Sequence, residues 1–127
     1  MRIALDTNRY VDFCRGDPRT VEVLRTAEAI LLPFVAMAEL RAGFRIGSRG
    51  AENEKTLARF LNGPRVRVLY ADEQTTHHYA RLFFQLSTQG APIPTNDLWI
   101  AALVAQHDLI LFDRDRHFDH LPQLARC

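Results

Sequence analysis
Four short, mainly apolar runs, Arg2–Leu5, Ile30–Phe34, Val66–Tyr70 and Leu109–Phe112, recur along the chain with longer helical patterns between them. The runs are apolar at nearly every position rather than at every second one, so each strand must be covered on both faces. Such strands alternating with helices predict an α/β fold with a parallel sheet. The helical patterns cover about Thr7–Arg15, Pro18–Glu28, Val35–Phe44, Ala51–Leu61, Glu73–Gln89 and Asn96–His107. Asp17 supplies a cap before Pro18 in the first turn of the second helix. Gly47 and Gly63 follow the third and fourth. Asn96–His107 is almost wholly apolar and belongs in the interior.

At 127 residues, without repeats, low-complexity tracts or a linker, the chain is expected to form one domain spanning residues 1–127. The longest strongly apolar stretch, Leu98–Ala105, is too short to span a bilayer. The three-residue apolar start before Asp6 is not a secretory signal. Two cysteines, Cys14 and Cys127, give no disulfide framework, and the cytoplasm is the expected compartment. A net charge of +1 excludes a global field that draws in nucleic acid. Within that balance, every basic residue but Lys55 is arginine. This suits phosphate and base stacking, and equally suits a GC-rich coding bias.

Two of the strands finish on acids, in "RIALDTN" at Asp6 and in "LILFDRDRHF" at Asp113 and Asp115. Ligands of parallel sheets sit outside the carboxyl ends of the strands, so these acids are expected at one edge however distant in sequence. Two further acids lie where acids are out of place, Glu39 in the apolar helix "VAMAELRAGF" and Asp97 at the first turn of "PTNDLWIAALVA". Both helices are expected to start near that edge, which gathers Asp6, Glu39, Asp97 and Asp115 into one pocket. Clustered carboxylates repel, and a divalent cation relieves them. Oxygen-only ligands select Mg²⁺ or Mn²⁺, which implies phosphodiester hydrolysis. Each acid alone has a plainer reading. Asp97 suits a helix N-terminus, Glu39 has Arg41 and Arg45 within reach, Asp6 can form a turn with Thr7 and Asn8, and Asp113 and Asp115 have Arg114 and Arg116. Four such readings holding at the same edge are less economical than one shared ion.

In order and spacing, "RIALDTN", "AMAELRAG", "PTNDLWIAA" and "LFDRDRHFDHLP" resemble the acidic motifs of PIN-domain ribonucleases, most nearly the VapC-type toxins of type II toxin–antitoxin pairs. The likeness spans essentially the whole chain. It implies a three-layer α/β/α domain with a mainly parallel sheet, a Mg²⁺/Mn²⁺ pocket and endonucleolytic cleavage of RNA, commonly transfer RNA or other structured RNA. Asp6, Glu39, Asp97 and Asp115 match the family's acids. Asp6 and Asp97 are implied as direct metal ligands, Asp115 as a ligand directly or through water, and Glu39 as acting through water or a second ion. Thr7 and Asn8 match the polar pair that orients the first acid. Homodimerisation and a cognate antitoxin whose tail blocks the pocket, often with an arginine, are also implied.

The chain departs from the family pattern in two places. Asp113 stands where relatives carry Thr or Ser, either as a fifth pocket acid or, the favoured reading, in an ion pair with Arg116. The sequence stops at "PQLARC", so the last strand is expected to be short or missing. The pairs His77–His78 and His117–His120 lack a further ligand at suitable spacing and read as solvated or hydrogen-bonded. Trp99 reads as a core or interface anchor. Phe83 and Phe84, with Leu82 and Leu86, form an apolar face for the core or a partner. Arg41, Arg45 and Arg49 either line an RNA path or form a solvated face. The alternative function is a non-catalytic PIN-like module that binds RNA or a partner. A receiver-type phosphotransfer fold ranks lower, because position 8 is Asn and the only lysine, Lys55, lies in a helix.

Overall fold
The computed structural model describes residues 1–127. Four strands, β1 (Arg2–Leu5), β2 (Ala29–Pro33), β3 (Val66–Leu69) and β4 (Ile110–Phe112), form one sheet in the order β3-β2-β1-β4. Every pairing is parallel, with Ile3 opposite Ile30 and Ile110, and Leu31 opposite Arg67. The helices are α1 (Thr7–Cys14), α2 (Pro18–Thr26), α3 (Phe34–Ile46), α4 (Gly50–Leu61), α5 (Glu73–Gln89) and α6 (Thr95–His107), and a 3₁₀ turn spans Arg116–His120.

Strand residues alternate between two cores, which makes the three-layer α/β/α arrangement. Ile3, Leu5, Ile30, Leu32 and Phe112 pack on one face against Tyr10, Leu24, Leu40 and Leu57 of α1–α4. Ala4, Leu31 and Leu111 pack on the other against Leu82 and Leu86 of α5 and Leu98, Ile100, Ala101, Ala102 and Val104 of α6. Helix α6 buries every residue from Asp97 to Val104 except Trp99, because it lies under α5 and the Phe118 turn as well as on the sheet. No helix is long and apolar enough to cross a membrane.

Local chemistry sets most boundaries. Asp17 accepts from the Thr20 N–H and Pro18 opens α2. Asp72 and Thr75 cap α5 reciprocally, and Gly90 closes it at φ 66°, a backbone region where glycine carries no Cβ penalty. Differences from the sequence reading are confined to ends. Pro33 is the last residue of β2 and also the N-cap of α3, so Phe34 is helical rather than extended. Helix α2 stops at Thr26 because Ala27 turns extended toward β2. Helix α6 begins at Thr95, one residue before the expected start, with Pro94 at the cap position.

The last strand is reduced to one bridge. Arg126 pairs in parallel with Leu111 on the free edge of β4, where the Leu111 N–H donates to the Ala125 carbonyl at 2.8 Å and the Cys127 N–H to the Leu111 carbonyl at 3.0 Å.

Candidate active site
The chain runs from β1 to β2 and β3 on one side, then returns to β4 on the other, so the carboxyl end of β1 is the point where the sheet's winding reverses. Asp6 leaves β1 there, with its N–H donating to the Phe112 carbonyl of β4 at 3.1 Å. That bond sets Asp6 beside Asp113, the residue after β4. Asp97 enters from the first turn of α6, and Asp6, Asp97 and Asp113 are 4%, 8% and 5% exposed. Glu39 reaches in from α3, where its Oε1 accepts from the Thr7 hydroxyl at 2.7 Å.

The tightest group is Asp97, Asp115 and His117, whose ligand atoms all lie within 4.8 Å of one another. Nδ1 of His117 is 2.9 Å from Oδ2 of Asp97 and 2.8 Å from Oδ1 of Asp115. Asp115 holds that ring in place by also accepting the His117 backbone N–H at 2.9 Å.

The charges are unequally matched. Burial pushes the Asp6 carboxyl up to about 7 despite the Thr7 backbone N–H, and Asp97, Asp113 and Glu39 repel its charge further. Burial and then the Asp115 charge push Asp97 up to about 6, with His117 partly opposing them. Burial also acts upward on Asp115, but the backbone and ring hydrogen bonds of His117 outweigh it and leave that carboxyl below its ordinary range. Desolvation acts downward on His117, and the two carboxylates outweigh it and raise the ring. Asp113 is neutralised by Arg126, whose guanidinium grips it at 2.8 and 3.0 Å. Asp6 has no ion pair, and Glu39 has only the Thr7 hydroxyl. A hard divalent cation fits this donor set, since it would supply the missing charge to Asp6 and to whichever carboxylates release His117.

The PIN domain family model matches residues 3–124. The chain belongs to the PIN-domain family. Ribonuclease VapC1 of Haemophilus influenzae strain R2866 is 33% identical over 121 residues, covering 87% of this PIN domain and 89% of that protein. Ribonuclease VapC5 of Mycobacterium tuberculosis strain H37Rv is 27% identical over 121 residues, covering 95% and 88%. Among solved structures, VapBC-1 from nontypeable Haemophilus influenzae superposes with a TM-score of 0.88 at 26% identity, covering 100% of this chain and 97% of that one. VapBC2 from Rickettsia felis, bound to a promoter DNA fragment, gives 0.86 at 25% identity, covering 100% and 98%. This PIN domain is of the VapC type.

The four acids expected from the sequence do gather at one edge of the PIN domain, with Asp97 and Asp115 in direct company and Asp6 and Glu39 beside them. Several partners differ from expectation. Asp113 pairs with Arg126 rather than Arg116, because the bridge at Leu111 delivers Arg126 to it. Arg114 grips Asp12 of α1. The Thr7 hydroxyl holds Glu39 rather than Asp6, and Asn8 is exposed. Glu39 pairs with neither Arg41 nor Arg45, since Arg41 turns to Glu54 of α4, and Arg49 pairs with Glu52.

His117 is hydrogen-bonded, one of the two readings the sequence allows, but its partners are the site acids Asp97 and Asp115, a pairing the sequence reading does not single out. The available signal was the Asp-x-His spacing after a strand, which lets an Asp carboxylate accept the backbone N–H two residues on. Trp99 is half-buried against Tyr79, with ring centroids 4.3 Å apart, and with Phe34 and Ala38 it lines a groove that opens beside Glu39. Leu82 and Leu86 enter the core, whereas Phe83 and Phe84 are exposed.

Proposed function
We propose that this PIN domain is the endoribonuclease toxin of a toxin–antitoxin pair, hydrolysing RNA phosphodiester bonds with Mg²⁺ or Mn²⁺ in the acidic pocket and acting on transfer RNA or other structured RNA. One observation carries the reading. The Asp6 carboxyl is buried beside Asp97, Asp113 and Glu39 with no cation paired to it. Asp6, Asp97 and Asp115 would hold the ion, with Glu39 acting through water or a second ion. An all-carboxylate oxygen set suits Mg²⁺ or Mn²⁺. A bound ion supplies an activated water and offsets phosphate charge.

The protein's own part is to position and to exchange protons. Thr7 fixes the Glu39 carboxylate, and His117 orients Asp97 and Asp115. In the metal-free pocket the Asp6 and Asp97 carboxyls, at about 7 and about 6, hold protons near neutral pH and give them up when an ion binds. The likeness to VapC1 and to the VapBC assemblies supports a cognate antitoxin as partner, and the reading includes homodimers within a hetero-oligomer in a cytoplasmic setting.

The test is cleavage of bulk transfer RNA by purified protein with Mg²⁺ or Mn²⁺. Cutting is expected, with loss on chelation and in Asp6→Asn and Asp97→Asn. Wild-type rates in either variant would overturn the assignment. Expression without an antitoxin is expected to arrest bacterial growth, and both variants to relieve the arrest.

A further inference from the structure
Asp115 sits in the segment between β4 and the 3₁₀ turn, where few backbone groups have strand or helix partners. Its peptide is nevertheless held from both sides. The Asp115 N–H donates to Oδ2 of Asp113 at 2.9 Å. Nη2 of Arg126 donates to the Asp115 carbonyl at 3.1 Å while also gripping Oδ2 of Asp113 at 2.8 Å. Nε of Arg126 takes the other Asp113 oxygen at 3.0 Å, and Nη1 reaches Asp119 within the 3₁₀ turn at 2.7 Å. One guanidinium thus ties together the residues on both sides of Asp115. It is itself fixed by the parallel bridge to Leu111, and the Asp113 side chain is only 1% exposed.

From this arrangement we infer that Arg126 is a positioning residue: with Asp113 it clamps the Asp115 peptide, so that the carboxylate is held ready for the divalent ion. The inference rests on the metal-dependent reading given above. It also accounts for an acid at position 113. Asp113 serves as the hinge of an intramolecular ion pair, its charge spent on Arg126.

Geometry and charge make opposite predictions here. Removing Arg126 leaves Asp113 unpaired near the pocket, and on charge alone that extra negative group tightens cation binding. A positioning role predicts weaker binding, because supporting groups that orient ligands are worth about tenfold or more in metal affinity.

The experiment uses the full chain with Arg126→Met and Arg126→Lys, and two readouts that need no activity. Mn²⁺ affinity is measured by calorimetry, and exchange of the Asp115 amide proton by NMR in metal-free protein. Both variants are expected to bind Mn²⁺ about tenfold more weakly and to exchange the Asp115 amide faster than wild type. Unchanged or tighter Mn²⁺ binding in either variant overturns the inference, as does an unchanged Asp115 amide. Arg126→Lys keeps the charge without the fork, so it decides the matter if Arg126→Met does not fold. A wild-type protein that binds no Mn²⁺ removes the metal-dependent reading instead. The amide exchange then still decides whether the clamp exists.

Discussion

The Thr7 hydroxyl donates a 2.7 Å hydrogen bond to Oε1 of Glu39, joining the first acidic segment to the second across the top of the sheet. The bond ends on a carboxylate and is partly buried, so it belongs to the stronger class of about 1.5–3 kcal/mol. Thr7→Val keeps the shape and removes the donor. RNA cleavage is expected to fall about tenfold or more, the unfolding midpoint to drop by a few degrees, and Thr7→Ser to recover most of both. Equal rates for Thr7→Val and wild type would free Glu39 from any need of that bond.

Asp6 makes the metal-free fold pH-dependent. Its carboxyl is at about 7 when folded, against 3.8 as the ordinary value. A folded-state pKa raised in this way means stability present below about pH 4 and lost as pH rises through about 7. The loss is roughly 4 kcal/mol between these limits, to order of magnitude. Urea unfolding in chelator at pH 5 and pH 8 is expected to show the decline. Asp6→Asn is expected to flatten it and to be the more stable protein at pH 8.

Metal binding has the opposite slope. An ion must displace protons from Asp6 and Asp97, whose carboxyls lie at about 7 and about 6. Mg²⁺-induced stabilisation is therefore expected to be small at pH 5.5 and large at pH 8. It reaches about 2.7 kcal/mol at a hundredfold excess over the dissociation constant. Thermal melts with and without Mg²⁺ at the two pH values measure it, and a stabilisation independent of pH would contradict the proton displacement.

His117 acts as the built-in cation when no metal is bound. Its ring is raised by Asp115 and Asp97, so the stability it adds is full below pH 6.5 and lost as pH climbs past the raised value. Its side chain is 49% exposed, which limits the effect to about 1 kcal/mol or less. His117→Ala is expected to lower the metal-free melting temperature at pH 6 and leave it unchanged at pH 9. Saturating Mg²⁺ is expected to narrow the gap at pH 6.

The parallel sheet was legible because its signals are local. Ile30–Leu32 is apolar at every position, Asp17-Pro18 announces a helix start, and Asn96–His107 has no polar face to offer solvent. The meeting of Asp6, Glu39, Asp97 and Asp115 was legible for a different reason, since parallel strands deliver whatever follows them to one edge. Pairings made across that edge were not. Thr7 with Glu39, His117 with Asp97, and Arg126 with Asp113 join segments whose relative height depends on strand register and on a 3₁₀ turn that no residue pattern announces. The expected Asp113–Arg116 pair followed sequence proximity, whereas the fold brings Arg126 from ten residues farther along.

The order β3-β2-β1-β4 has a temporal side as well. A ribosome delivers Asp6 first, Glu39 and Asp97 later and Asp115 last, and β4 can dock on β1 only once almost all of the polypeptide has emerged. Until β4 is in place, the edge that gathers these acids has only three of its strands and lacks Asp113 and Asp115.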